Sequence, residues 1–350
     1  MHVDTFTGEN NDWDKLALEA RRAEACGFDG FAIPEITGDP LLNAAMVARA
    51  TERIQARTAI AVAFPRSPMV VAEQAWSIQR NSGGRFALGL GTQVKAHNER
   101  RFSTPWKAPR SRIVEYVEAL RAIWRCWELG ERLDYEGDHY RFSLMTPEFT
   151  PPKSNLPMVP VYLAAVRPRT LESAAAIADG LRLHGFCTKK YFDQVVGPAI
   201  DRGLASNGRK RSELEVCGGG FIMTGPDEAT VMRNREWVRY RIAFYGSTPA
   251  YRPVMSLHGW DDLADKLLHM TKTGQWKNMA AEIPDAVLDE FCVYTTYDEL
   301  PKAIEERFGG ISDTVELAIE ADTDRDRAQD LLSRVRAIPS AFQAHEARYA

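Results

Sequence analysis

The chain has 350 residues, 45% of them hydrophobic and 26% charged, with a formal net charge of −4; such a balance suits a globular enzyme and offers no global attraction for nucleic acid or anionic lipid. No apolar run approaches the roughly 18 residues needed to cross a bilayer, and the polar, acidic stretch from Met1 to Asp14 does not read as a secretory leader. Five widely spaced cysteines form neither a disulfide framework nor a zinc motif, so the expected setting is a reducing cytoplasm, with no metal, no nucleic acid and no membrane partner.

Val3 to Thr7 reads as a first short strand, followed by a helix over Trp13 to Cys26 with Asp12 as its cap. Phe28 to Pro34 is a second strand, and Pro40 to Arg53 a helix capped by Asp39. The clearest unit runs from Arg57 to Gln93. Thr58 to Phe64 is apolar throughout, as a strand covered on both faces should be. Ser67 and Pro68 then open a helix as N-cap and first helical residue, Asn81-Ser82-Gly83-Gly84 closes it, and Arg85 to Leu90 is the next buried strand. Arg110 to Glu128 is a long amphipathic helix whose inner stripe holds Ile113, Val117, Leu120, Ile123, Trp124 and Trp127. Glu131 to Pro157, rich in Pro, Tyr, Phe and Gly, is an excursion with a small hairpin.

The alternation resumes with a fifth strand at Val159 to Ala165 and a helix at Thr170 to Asp179. Gly180 to Gly185 is strand six, followed by a helix through Asp193 to Ser206. Leu214 to Met223 is strand seven, followed by a helix over Asp227 to Tyr245. A second excursion covers Gly246 to Asp289; then come a helix at Tyr297 to Phe308, strand eight at Thr314 to Glu320, and a charged helix over about Asp324 to Ala337. Eight buried strands alternating with helices fit one closed (β/α)₈ barrel domain with two insertions better than an open doubly wound sheet.

Chemistry in such a barrel belongs at the carboxyl ends of the strands. Found there are Glu35, the Ala59–Ala63 segment, then Gly89, Gly91, Thr92 and Gln93, then Arg167, and finally His184, Cys187 and Thr188. Paired glycosidase carboxylates and the two-histidine spacing of a metal hydrolase are missing from this set. No Schiff-base lysine stands at a strand end, which also disfavours an unrelated barrel aldolase or hydrolase. A rim poor in acids and bases but rich in small residues points to a bound cofactor that carries the chemistry. Gly89-Leu90-Gly91 lacks the third glycine of a dinucleotide fold and reads instead as a turn whose amides cradle an anion.

The segments GFDGFAIPEITGDPLL, AVAFPRSPMVVAEQAWSIQRNSGGRFALGLGTQ, VYLAAVRPRTLESAAAIADGL and IAFYGSTPAYRPVMSLHGW resemble the luciferase-like monooxygenase superfamily, and within it the branch that uses 8-hydroxy-5-deazaflavin (coenzyme F-420). The likeness covers most of the chain. It implies a barrel with insertions, acting as a homodimer, with a flavin-like ring over its mouth. It also implies a bulge in strand three with a non-prolyl cis peptide around Ala59, Ile60 and Ala61, behind the ring. Relatives carry an acid followed by His after strand two; here the pair is Glu35-Ile36, so Glu35 alone is the candidate. Their Gly-x-Gly-Pro turn after strand five is Ala165-Val166-Arg167-Pro168 here, where Arg167 could pair with a phosphate in place of the glycine amides.

The candidates are therefore Glu35 and His184 for proton transfer, and Ala59, Ile60, Ala61, Gly89, Gly91, Thr92, Gln93, Ala165, Val166 and Arg167 for the cofactor. His97, Trp106, Tyr245, Tyr251, His258 and Trp260 are candidates for the substrate pocket, since excursions in barrels cover the site. Each has a structural alternative: a strand-end acid that caps a loop, a satisfied core histidine, aromatics that pack an insertion onto the barrel. The expected activity is hydride transfer between the reduced deazaflavin and a small organic substrate. Its alternatives are an FMN-dependent monooxygenase and a catalytically silent barrel that binds a flavin or metabolite.

Overall fold

The computed structural model describes residues 1–7, 11–343 and 345. Its strands are β1 (His2–Phe6), β2 (Gly30–Ile33), β3 (Gln55–Thr58, resumed at Ala61–Val62), β4 (Phe86–Gly91), β5 (Val161–Ala164), β6 (Gly180–Leu183), β7 (Glu215–Gly218) and β8 (Thr314–Glu316). Each pairs in parallel with the next and β8 pairs with β1, so the sheet closes into the expected (β/α)₈ barrel. The helix starts follow the sequence signals: Asp12, Asp39 and Ser67 each accept a backbone N–H of the first turn they cap. The long helix Pro109–Leu129 buries its stripe against the helix Pro68–Asn81, and Trp124 Nε1 donates to the Ala72 carbonyl at 3.2 Å. Tyr135–Glu136 and Arg141–Phe142 form the small hairpin of the first excursion.

Four local expectations are corrected. Strand three begins at Gln55, ahead of the expected Thr58, and is not continuous: it breaks after Thr58 and resumes at Ala61, while Phe64 lies beyond its end. Strand seven leaves the barrel at Gly218, and Phe221–Gly225 instead pairs outside it with Cys292–Thr296, a strand that the sequence pattern does not announce. Strand eight stops at Glu316 rather than Glu320. The helix after β6 forms in pieces, Lys189–Tyr191, a π turn at Phe192–Val196, and Gly197–Ser206. Apolar character alone carried those expectations past positions where backbone pairing ends.

The barrel lumen is charged. Arg57 Nη1 on β3 lies 3.0 Å from Glu215 Oε1 on β7 and 3.4 Å from Asp4 Oδ2 on β1. Arg182 on β6 reaches Asp4 at 3.3 Å and also contacts Glu316. Glu215 further accepts from the Tyr162 and Thr314 hydroxyls. Burial alone would raise the Glu215 carboxyl, but Arg57 and hydrogen bonds from His2, His345 and Thr314 outweigh it and hold that carboxyl well below its usual range. Buried charges persist only when paired this way. The network ties opposite strands together beneath the rim.

Candidate functional site at the carboxyl-terminal rim

The rim is shaped first by the break in β3. The Thr58 hydroxyl exchanges hydrogen bonds with both the N–H and the carbonyl of Gly89, each at 2.8 Å. The Ala59–Ile60 peptide is cis, and Ala59 and Ile60 are half-buried. Pairing resumes with Ala61 opposite Leu90 and Val62 opposite Gly91. A Cβ on Gly89 would fall 2.0 Å from the Thr58 carbonyl oxygen. Gly89 therefore makes room for the detour of β3. Thr92 and Gln93 follow directly; Gln93 has φ +57° and its Oε1 accepts the Val94 N–H at 3.0 Å.

Glu35 follows β2 and is drawn to the same detour. Its Oε2 accepts the Val62 N–H at 2.7 Å and Arg66 Nη1 at 2.9 Å, and its Oε1 accepts Arg66 Nη2 at 3.2 Å. Arg66 in turn meets Asp39 at 2.8 Å. With its side chain only 6% exposed, Glu35 is built into the wall of the site as an anchor for the resumed strand. The sequence reading missed Arg66, which stands one residue before the helix cap Ser67 and carried no motif.

After β5, Ala165 is buried and the Val166 carbonyl accepts the Tyr191 hydroxyl at 3.2 Å. Arg167 is exposed and precedes the helix Pro168–Ile177, whose first turn has no side-chain cap. Such a terminus carries partial positive charge and open N–H groups beside two exposed arginine side chains, Arg167 and Arg169.

His184 follows β6. Its Nδ1 accepts the Phe186 N–H at 2.9 Å, which puts the neutral ring's proton on Nε2. Its ring lies 4.2 Å from that of Tyr245 and 4.9 Å from that of Tyr251. Burial, with a smaller push from Arg241, lowers the imidazole to about 4, so it stays neutral at ordinary pH. The Phe186 ring links this trio to Phe291, 4.4 Å away. Trp260 lies 6.0 Å from Phe291 and stacks on His258 at 4.2 Å. His258 Nε2 is 2.8 Å from the Thr188 hydroxyl, which fastens the second excursion to the loop after β6.

The structure thus gathers His184, Tyr245, Tyr251, His258 and Trp260 into one connected aromatic group. Trp106 packs edge-on to Phe64 at 6.1 Å, and His97 is exposed on the short helix Lys95–Arg100. Cys187 is buried and its thiol is pushed up to about 12, which leaves it unreactive. Phe186 and Phe291 were not singled out from sequence, since isolated aromatics carry no spacing signal. Among the described residues no cluster of His, Cys, Asp and Glu is arranged to hold a metal ion, and no helix is long and apolar enough to cross a membrane. A polar recess of about 380 Å³ lies outside the barrel, lined by Glu118, Arg121, Asn207 and Arg209 among others, with no strand-end residue in it.

Residues 1–313 match the family model described as luciferase-like monooxygenase. An uncharacterized protein of Mycobacterium tuberculosis is 42% identical over 305 residues, covering 87% of this chain and 90% of that protein. The 5,10-methylenetetrahydromethanopterin reductase of Archaeoglobus fulgidus is 26% identical over 301 residues, covering 83% of this chain and 85% of the reductase. Among solved structures, the coenzyme F-420-dependent tetrahydromethanopterin reductase from Methanopyrus kandleri superposes with a TM-score of 0.77 at 19% identity, covering 95% of this chain and 98% of that one, a likeness of fold.

Proposed function

The chain belongs to the luciferase-like monooxygenase family, and from that premise we propose that it is an oxidoreductase working with the deazaflavin coenzyme F-420 on a small organic substrate. The observation that carries the reading is the composition of the rim. The histidine after β6 is neutral and set in an aromatic wall, while β3 to β5 place small residues at the rim, among them Ala59, Gly91 and Ala164. Sequence relatives named as F-420-dependent, an oxidoreductase of Mycobacterium tuberculosis 25% identical over 303 residues and a glucose-6-phosphate dehydrogenase of Intrasporangium calvum 31% identical over 209 residues, support the deazaflavin in particular.

The residues present fit such a coenzyme. Ile60, half-buried in the break of β3, offers an apolar backing for a planar ring, and the uncapped helix start at Arg167 suits a phosphorylated tail. When bound, the coenzyme supplies the hydride chemistry that no side chain here can provide. Arg167 would hold the tail by charge, Ala59 and Ile60 would back the ring, and Gly89 and Gly91 would keep that backing in place. Glu35, through Arg66 and the Val62 amide, fixes the resumed strand. His184 carries its proton on Nε2 and, staying neutral, would donate a hydrogen bond to an oxygen or nitrogen of the substrate and so orient and polarise it. Tyr245, Tyr251 and Trp260 would exclude water.

Titration of the purified protein with F-420 and, separately, with FMN tests this by chromophore change. Tighter binding of F-420 is the expected result. Preference for FMN, with oxygen consumption in its reduced form, would replace the reading with a monooxygenase. Coenzyme binding without turnover on any substrate would favour a silent barrel, and binding of neither would end the redox reading.

A further inference from the structure

β7 leaves the barrel at Gly218, level with Leu183 at the end of β6, while β8 runs on from Thr314 to Glu316 past its pairing with β7. Gly218 and Gly219 have φ of +79° and +103°, a left-handed conformation that turns the chain out of the barrel toward the outer pairing with Cys292–Thr296. A side chain at Gly218 would also press within 2.8 Å of the Leu183 carbonyl oxygen. β7 and β8 consequently pair only at Cys217 and Thr314. Where the wall is lost there is a cavity of about 190 Å³, lined by Phe6, Phe221, Met223, Trp237, Phe308 and Glu316 among others.

The lining is apolar with one carboxylate. Arg182, itself held by Asp4 at 3.3 Å, contacts Glu316 Oε1, and no described residue hydrogen-bonds Glu316 Oε2. The Glu316 side chain is 34% exposed, so this oxygen keeps access to a ligand. Trp237, 47% exposed, stands at the edge of the cavity and extends its apolar lining. In strand order β7 lies across the barrel from β3. A planar ring backed by Ile60 would therefore turn its other face toward this opening.

We propose that the cavity at the end of β7 is the substrate pocket and that it takes a compact apolar body, a six-membered ring or branched alkyl group, bearing one hydroxyl that donates to Glu316. This meaning rests on the coenzyme reading above; the pocket's ability to bind does not. An apolar cavity of roughly 150 Å³ already holds a benzene ring, so the volume here suits a ring plus one polar substituent. Arg182 is a positioning residue: it neutralises half of the carboxylate and aims the other oxygen at the ligand. A group without a donor, such as a ketone, would leave Oε2 desolvated and unpaired.

Ligand-observed saturation-transfer NMR on the full chain, with cyclohexanol and cyclohexanone as probes, tests the assignment. Wild type should bind the alcohol about tenfold more tightly, the worth of one hydrogen bond to a charged acceptor. Met223→Trp, which fills the cavity, should abolish binding of both probes. Glu316→Leu should bring the ratio to about one; should that variant fail to fold, Glu316→Gln should still shrink it at least about threefold. Equal binding of the two probes by wild type, or cyclohexanol binding that survives Met223→Trp, overturns the pocket. The F-420 titration of the same samples separates the two claims. Intact coenzyme binding without alcohol preference sinks the pocket alone, whereas alcohol preference without coenzyme binding sinks the redox reading alone.

Discussion

Gly91 on β4 and Ile60 in the break of β3 occupy one space between them: a Cβ on Gly91 would come within 2.6 Å of Ile60 Cδ1 and 2.9 Å of its Cγ1. The GLG motif at the rim thereby acquires a packing reason that needs no ligand. The glycines accept the neighbouring strand's detour, and the detour carries Ile60 to the place where a coenzyme ring would rest.

Gly91→Ala should destabilise the protein by about 1–3 kcal/mol through overpacking. Ile60→Ala in the same chain should recover most of that loss, because the obstacle is a side chain. Gly89→Ala should cost more and should not be rescued by Ile60→Ala, since its obstacle is the Thr58 carbonyl oxygen at 2.0 Å. Urea unfolding of the single and double variants measures both, and equal rescue of the two glycine variants would contradict this packing.

Arg66→Ala should destabilise by about 3 kcal/mol, because it strips a nearly buried Glu35 of its charge partner. Glu35→Gln should cost only about 1 kcal/mol, since its amide oxygen can still accept the Val62 N–H. If Glu35 were instead a catalytic base, Glu35→Gln would remove turnover while leaving stability nearly intact. Denaturation and activity measured on the same preparations distinguish the two.

His184 gives the fold a defined acid sensitivity. The unfolded chain takes up a proton on this ring near pH 6.5, and the folded protein only near pH 4. Stability from this residue is thus complete above about pH 6.5 and falls as the pH drops toward 4, by at most about 3 kcal/mol. His184→Gln should lack that component. The difference between the two unfolding free energies, followed from pH 7 to pH 4, should narrow or change sign as acid is added. A difference constant with pH would refute it.

Arg167→Ala should weaken F-420 binding about tenfold while leaving the melting temperature unchanged, because Arg167 is exposed and its helix start is not side-chain capped. Wild-type affinity should also fall with added salt, and less so in the variant. An unaltered dissociation constant would place the coenzyme's phosphate elsewhere.

The order of strands and helices was legible because short, largely apolar segments alternate with capped helices, and caps such as Asp12, Asp39 and Ser67 are local signals. The inner stripe of the long helix, Ile113 through Trp127, was legible for the same reason: periodicity is a property of consecutive residues. The resemblance supplied the family, which the comparison with known proteins bears out.

What only the tertiary structure decided is where strands stop. The runs Thr58 to Phe64 and Leu214 to Met223 read as continuous, yet the first is interrupted at Ala59 and Ile60 and the second leaves the barrel at Gly218, because a strand's extent depends on what its neighbours can accept. The role of Glu35 was undecidable for the same reason. Its partners Val62 and Arg66 lie 27 and 31 residues away in the chain, and only barrel closure brings them within hydrogen-bonding distance. Local chemistry writes the elements; the rim is made by contacts between residues far apart in sequence, and these exist only once the sheet has closed on itself.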